Sequence, residues 1–128
     1  MKLLAFLLVS ASFLPLAAAD VSLVDNHETV TVDCAQDPNV TVTGNHATVT
    51  LTGTCKKVLI SGNHATLTGS ATTVLITGNE NTANLDAVDS LSTTGNQNTA
   101  TWKKAVDAKL KKPKIRNSGN KNTVTQTK

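Results

Sequence analysis

Three histidines recur at one position. His27, His46 and His64 each follow an asparagine, and Glu80 holds the same place after Asn79. Imidazole nitrogens and carboxylate oxygens are zinc ligands, so these four side chains, stacked at regular spacing, would offer an open divalent-metal site. The plainer reading is a polar turn position, because Gln97 and Lys121 fill it in later copies. A second group is cationic. Lys103, Lys104, Lys109, Lys111, Lys112, Lys114 and Arg116 crowd a short stretch near the C-terminus. Such a cluster attracts anionic lipid or acidic polysaccharide. The plainer reading is a solvated loop that keeps the last strand from pairing with other chains. A third group is the set of Thr-x-Thr pairs at 29/31, 48/50, 66/68, 99/101 and 123/125, with Thr82/Asn84 as the imperfect member. In register they would make a flat array of methyls and hydroxyls, like the surface of an ice-binding β-solenoid. Threonine is also simply a good polar strand former.

Nothing here assembles into catalytic machinery. Asp86 and Asp89 form a carboxylate pair, and Ser61 lies near His64, but neither has a third group or an implied water-excluding pocket. The sequence is read as non-enzymatic. No cofactor motif is present, and the calcium β-roll repeat fails because its Gly-Gly-x-Gly-x-Asp pattern is missing.

Chemistry at a repeated position needs a repeated scaffold. Gly44-Asn45-His46-Ala47-Thr48 recurs as Gly62-Asn63-His64-Ala65-Thr66, Gly78-Asn79-Glu80-Asn81-Thr82, Gly95-Asn96-Gln97-Asn98-Thr99 and Gly119-Asn120-Lys121-Asn122-Thr123. A degenerate first copy is Asp25-Asn26-His27-Glu28-Thr29. Successive glycines lie 18, 16, 17 and 24 residues apart, which places an insertion at about 103–114. Six copies at a near-fixed period mark a repeat architecture.

Each copy reads as two short strands around a Gly-Asn turn, with β-branched residues in strict alternation. Val21, Leu23, Val40, Val42, Val58, Ile60, Val74, Ile76, Leu91 and Ile115 form one apolar set. Val30, Val32, Val49, Leu51, Leu67, Leu85, Ala100, Trp102 and Val124 form the other. The fold class is therefore all-β: a short two-sheet β-solenoid of about six rungs, with the two sets facing each other. An antiparallel meander or sandwich is the alternative. The solenoid stacks equivalent strands about 4.8 Å apart. It also stacks Asn26, Asn45, Asn63, Asn79, Asn96 and Asn120 into an amide ladder, which explains their fixed register. Glycine is expected to supply the positive φ of each turn. Within the insertion, Lys103 to Lys111 are expected to form one or two helical turns ended by Pro113.

Composition sets the compartment. Lys2, the apolar run Leu3 to Leu16 and Ala17-Ala18-Ala19 read as a signal peptide over 1–19, leaving a single domain over 20–128. The protein is expected to be exported, periplasmic or extracellular, with no membrane span after cleavage. Cys34 and Cys55 are then expected to form a disulfide across adjacent rungs, with a metal pair or free thiols as alternatives. Residues 20–102 carry two lysines against eight acidic residues, a net −6. Residues 103–128 carry nine basic residues against Asp107, a net +8. Nucleic acid is not expected as a partner, because Trp102 is the only aromatic after the signal segment and bases would find little to stack on.

The Gly-Asn-x-Asn-Thr repeats resemble a bacterial secreted family, domain-of-unknown-function family 3060. So does the ending: Thr101-Trp102-Lys103, then Pro113-Lys114-Ile115-Arg116-Asn117, then Gly119-Asn120-Lys121-Asn122-Thr123. Ala47 and Ala65 depart from it where Asn would stand. The resemblance implies a repetitive β fold and bacterial export, and no activity. The leading functional expectation is an envelope-associated binding or structural module that contacts anionic material through the basic segment. Metal binding through the histidines and ice binding through the threonines are the alternatives.

Overall fold

Alternating β-branched residues favour extended backbone, and short turns return the chain after each pair of runs. In the computed structural model, which describes residues 20–128, nine strands result. The expected signal peptide over 1–19 lies outside the described residues. The strands are β1 (Asp20–Leu23), β2 (Thr29–Asp33), β3 (Asn39–Val42), β4 (Thr48–Ile60), β5 (Thr66–Ile76), β6 (Thr82–Thr93), β7 (Thr99–Lys104), β8 (Lys114–Asn117) and β9 (Thr123–Gln126). Every ladder between them is parallel. Parallel pairing of successive repeats excludes the meander, whose neighbours must run antiparallel. The chain winds as a β-solenoid of about five turns.

One side stacks β1, β3, the second halves of β4, β5 and β6, and β8. The other stacks β2, the first halves of β4, β5 and β6, and β9 on β7. The expected apolar sets face inward as continuous columns. Val21, Val40, Val58, Val74, Leu91 and Ile115 form one such column. Its four middle members are buried, whereas Ile115 at its end is 40% exposed. Thr93 sits at the inward place that Ile60 and Ile76 fill in earlier coils, and its buried hydroxyl lacks a hydrogen-bond partner.

A short third side joins these two. Alternation breaks within β4, where Thr52, Gly53 and Thr54 are exposed in succession and Lys56 and Lys57 follow suit. Between the breaks Cys55 points inward, stacking on Ala71 and then Val88, all fully buried. The disulfide Cys34–Cys55 closes this side across adjacent coils, with Cα atoms 4.6 Å apart. Small inward residues here keep the core thin enough to fill almost without aromatics.

Candidate functional site

The Gly-Asn turn is built differently from the sequence expectation. The positive φ shared by all six copies belongs to the residue after the asparagine: His27, His46, His64, Glu80, Gln97 and Lys121, at 55–62°. Glycine supplies positive φ only at Gly95 and Gly119 among the turn glycines. The left-handed residue turns its N–H along the solenoid axis. Thus His46 donates to the Asn63 carbonyl of the next coil, and His64 to that of Asn79. Glycine is needed for close approach instead. A Cβ on Gly62 would collide with the Gly44 carbonyl, and one on Gly78 with that of Gly62.

The asparagine ladder forms from Asn26 to Asn96. Asn45, Asn63, Asn79 and Asn96 each donate their main-chain N–H and Nδ2 to the Oδ1 of the asparagine one coil earlier, at 2.9–3.1 Å. Asn120 departs from it: its N–H donates to the Gly95 carbonyl, and it meets Asn96 only through a backbone bridge. A second ladder, absent from the sequence expectation, runs inside the turn. Asn81, Asn98 and Asn122 donate Nδ2 to the carbonyls of Gly62, Gly78 and Gly95. Their Oδ1 atoms accept from the N–H of Ala65, Asn81 and Asn98. Asn81 and Asn98 are fully buried. The signal lay in the second Asn of Gly-Asn-x-Asn, which is Ala47 and Ala65 in the early copies.

The histidines do line up. The rings of His27 and His46 stack with centroids 4.7 Å apart and 3° between planes. Those of His46 and His64 stack at the same distance and 24°. Glu80 follows, with its Oε2 2.9 Å from His64 Nε2 on the surface. Together with the asparagines at 26, 45, 63 and 79 they line a shallow groove. Rings stacked face to face send their in-plane lone pairs side by side. A shared zinc at about 2.0–2.1 Å would require ring rotation. Among the described residues no group of three or more His, Cys, Asp or Glu is placed to hold a metal ion.

The basic segment leaves β7 and crosses the third side before β8. It forms no helix. Leu110 N–H donates to the Asp107 carbonyl and Lys109 N–H to Asp107 Oδ1, which makes one tight turn. Asp107 competes for the backbone here, as aspartate does in turns. Asp89 Oδ1 pins the segment by accepting from the N–H of Val106 and Asp107. Trp102, Val106 and Leu110 form a groove with Thr54, Ser70 and Ala87 of the third side. Lys103, Lys104, Lys109, Lys111, Lys112, Lys114 and Arg116 are all exposed. Lys103 pairs with Asp86 at 3.1 Å, and the other six make no ion pair among the described residues.

The threonines keep register throughout. Thr29, Thr48, Thr66, Thr82, Thr99 and Thr123 form one column, and Thr31, Thr50, Thr68, Asn84, Thr101 and Thr125 the next.

No helix among the described residues is long and apolar enough to cross a membrane. No curated protein and no solved structure matches the chain. A family model described as "Protein of unknown function (DUF3060)" matches residues 42–66 and 61–120, more than half of the chain. The match takes in the Gly-Asn pairs from Gly44-Asn45 to Gly119-Asn120, and the chain belongs to that family.

Proposed function

We propose that the protein is an exported, non-enzymatic binding module whose basic segment holds anionic envelope material, lipid or polysaccharide. One observation carries the reading. The cations at 104, 109, 111, 112, 114 and 116 stand exposed and, among the described residues, without ion pairs on a segment tethered by Asp89. A cluster of unneutralised charge beside a groove where Trp102, Val106 and Leu110 stand among polar side chains suits a polyanion with some apolar character. The disulfide agrees with an oxidising compartment, where such material is found.

The test is co-sedimentation of the mature chain with vesicles of neutral lipid, vesicles containing phosphatidylglycerol, and an acidic polysaccharide. Wild type is expected to bind the anionic targets and to release them as salt rises, since the Debye length falls to about 3 Å at 1 M. A variant with Lys103, Lys104, Lys109, Lys111 and Lys112 changed to Gln is expected to lose that binding. Unchanged binding by the variant would sink the reading.

A second reading rests on the threonine columns. Six stacked strand segments with in-register Thr, about 4.8 Å apart, offer the regular hydroxyl and methyl array that an ice surface requires. Inhibition of ice recrystallisation by the mature chain, lost on Thr50→Lys and Thr68→Lys, would favour it.

A further inference from the structure

A solenoid has two ends, and a stack that is saturated in the middle leaves a free strand edge at each. Among the described residues β1 pairs only with β3 and β2 only with β4. β8 pairs only with β6 and β9 only with β7 among the described residues. The basic insertion lines a groove with Thr54, Ser70 and Ala87 of the third side and Gln126 of β9, and it adds no strand to β8 or β9. Natural proteins blunt such edges or use them.

The two ends match each other. Residues 20–38 hold Asp20, Asp25, Glu28, Asp33 and Asp37 and no Lys or Arg, a net −5. The last coil carries Lys114, Arg116 and Lys121. We propose that mature copies stack head to tail, with the first coil of one copy seated on the last coil of another. The register of the chain specifies the joint. Asp20, Asn39, Lys57, Thr73, Ser90 and Lys114 form one column, so Lys114 would lie under Asp20 of the second copy. By the same register Ile115, 40% exposed, would lie under Val21, and Val124 under Val30. Glu28 holds the inner turn position of the first coil. There its carboxylate would accept from Asn122 N–H, as Asn122 Oδ1 accepts from Asn98 N–H within the chain. Backbone ladder, apolar column and charge thus continue in one direction, and the contact is heterologous.

Sedimentation velocity on untagged, disulfide-bonded chain 20–128 tests the joint. The average mass is expected to rise with concentration. Lys114→Asp and Asp20→Lys each place like charges at the joint, so each variant alone is expected to associate at least about tenfold more weakly. Mixed together, the two variants are complementary at both of their joints, one with the wild-type pair and one with its charges exchanged, so the mixture is expected to recover the rise in mass with concentration. Both side chains are exposed, and circular dichroism checks that both variants fold. Wild type that stays monomeric up to about 1 mM would overturn the proposal. So would variants that associate as wild type does, which is the signature of lateral contact through the Thr face. The five-lysine variant of the anion test is expected to stack normally, so failure of either reading leaves the other separately testable.

Discussion

The turn residues do two jobs that look alike in a sequence. Gly-Asn-x is a familiar way to write a left-handed turn, and glycine is the usual carrier of positive φ. Here the carrier is the variable residue, and glycine is kept so that carbonyls can stack at close range. Opposite substitutions separate the two roles. A left-handed residue other than Gly costs roughly 1–2 kcal/mol, part of which glycine's greater chain entropy returns. Gln97→Gly is therefore expected to stabilise by about 0.5–1 kcal/mol, read as a higher urea midpoint. His46→Gly should gain less, because it also removes a ring stacked on both sides. Gly62→Ala is expected to lose about 3 kcal/mol, because backbone cannot yield to the new methyl as a flexible side chain would. If Gly62→Ala were neutral and Gln97→Gly destabilising, the assignment of roles would be reversed. The sequence marked these positions by their recurrence. It left their division of labour hidden, because both roles select small or polar residues at a turn.

At the scale of elements, legibility followed length. The two long sides announced themselves through alternation over four or more residues, and their inward columns are those expected, from Val40 and Val42 to Leu91. The third side was silent, because each coil contributes only two paired residues there, such as Thr54 and Cys55 on Ser70 and Ala71. Period-2 patterning cannot be read from two residues. The basic segment misled for the opposite reason: lysines and alanines favour helix locally, but only one Asp107-anchored turn forms, and Pro113 disfavours helical backbone at Lys112 before it. The cysteine pair was legible from compartment and period together. Its closure spans 21 residues of sequence and ties β2's end to the third side. The chain-entropy estimate for a loop of that size is about 3 kcal/mol. Cys34→Ala with Cys55→Ala is expected to lower stability by that order in urea titrations. Wild type in reductant should fall to a similar midpoint. A double variant as stable as oxidised wild type would show that the thin core holds the first coils without the staple.

On the scale of the whole molecule, the solenoid behaves as a one-dimensional array in which each coil touches only its neighbours. Stability should then vary along the axis. The middle coils, carried by β4, β5 and β6, have covered faces on both sides and fully buried apolar columns. β8 has no buried residue, and β9 contributes only the half-buried Val124. The first coil is intermediate, since Leu23 and Val32 are buried and the disulfide anchors Cys34. Amide exchange at low protein concentration is therefore expected to be slowest in β4 to β6, faster in β1 and β2, and fastest in β8 and β9, as local opening follows coverage. The order carries more weight than any single rate, because a globular core would protect strands by depth rather than by position along an axis. If the ends meet as their charges and columns match, protection in β8 and β1 should rise together as concentration rises, with β5 unchanged. A uniform rise across all strands would instead mean that global unfolding controls exchange, and that the coils are coupled into one cooperative unit.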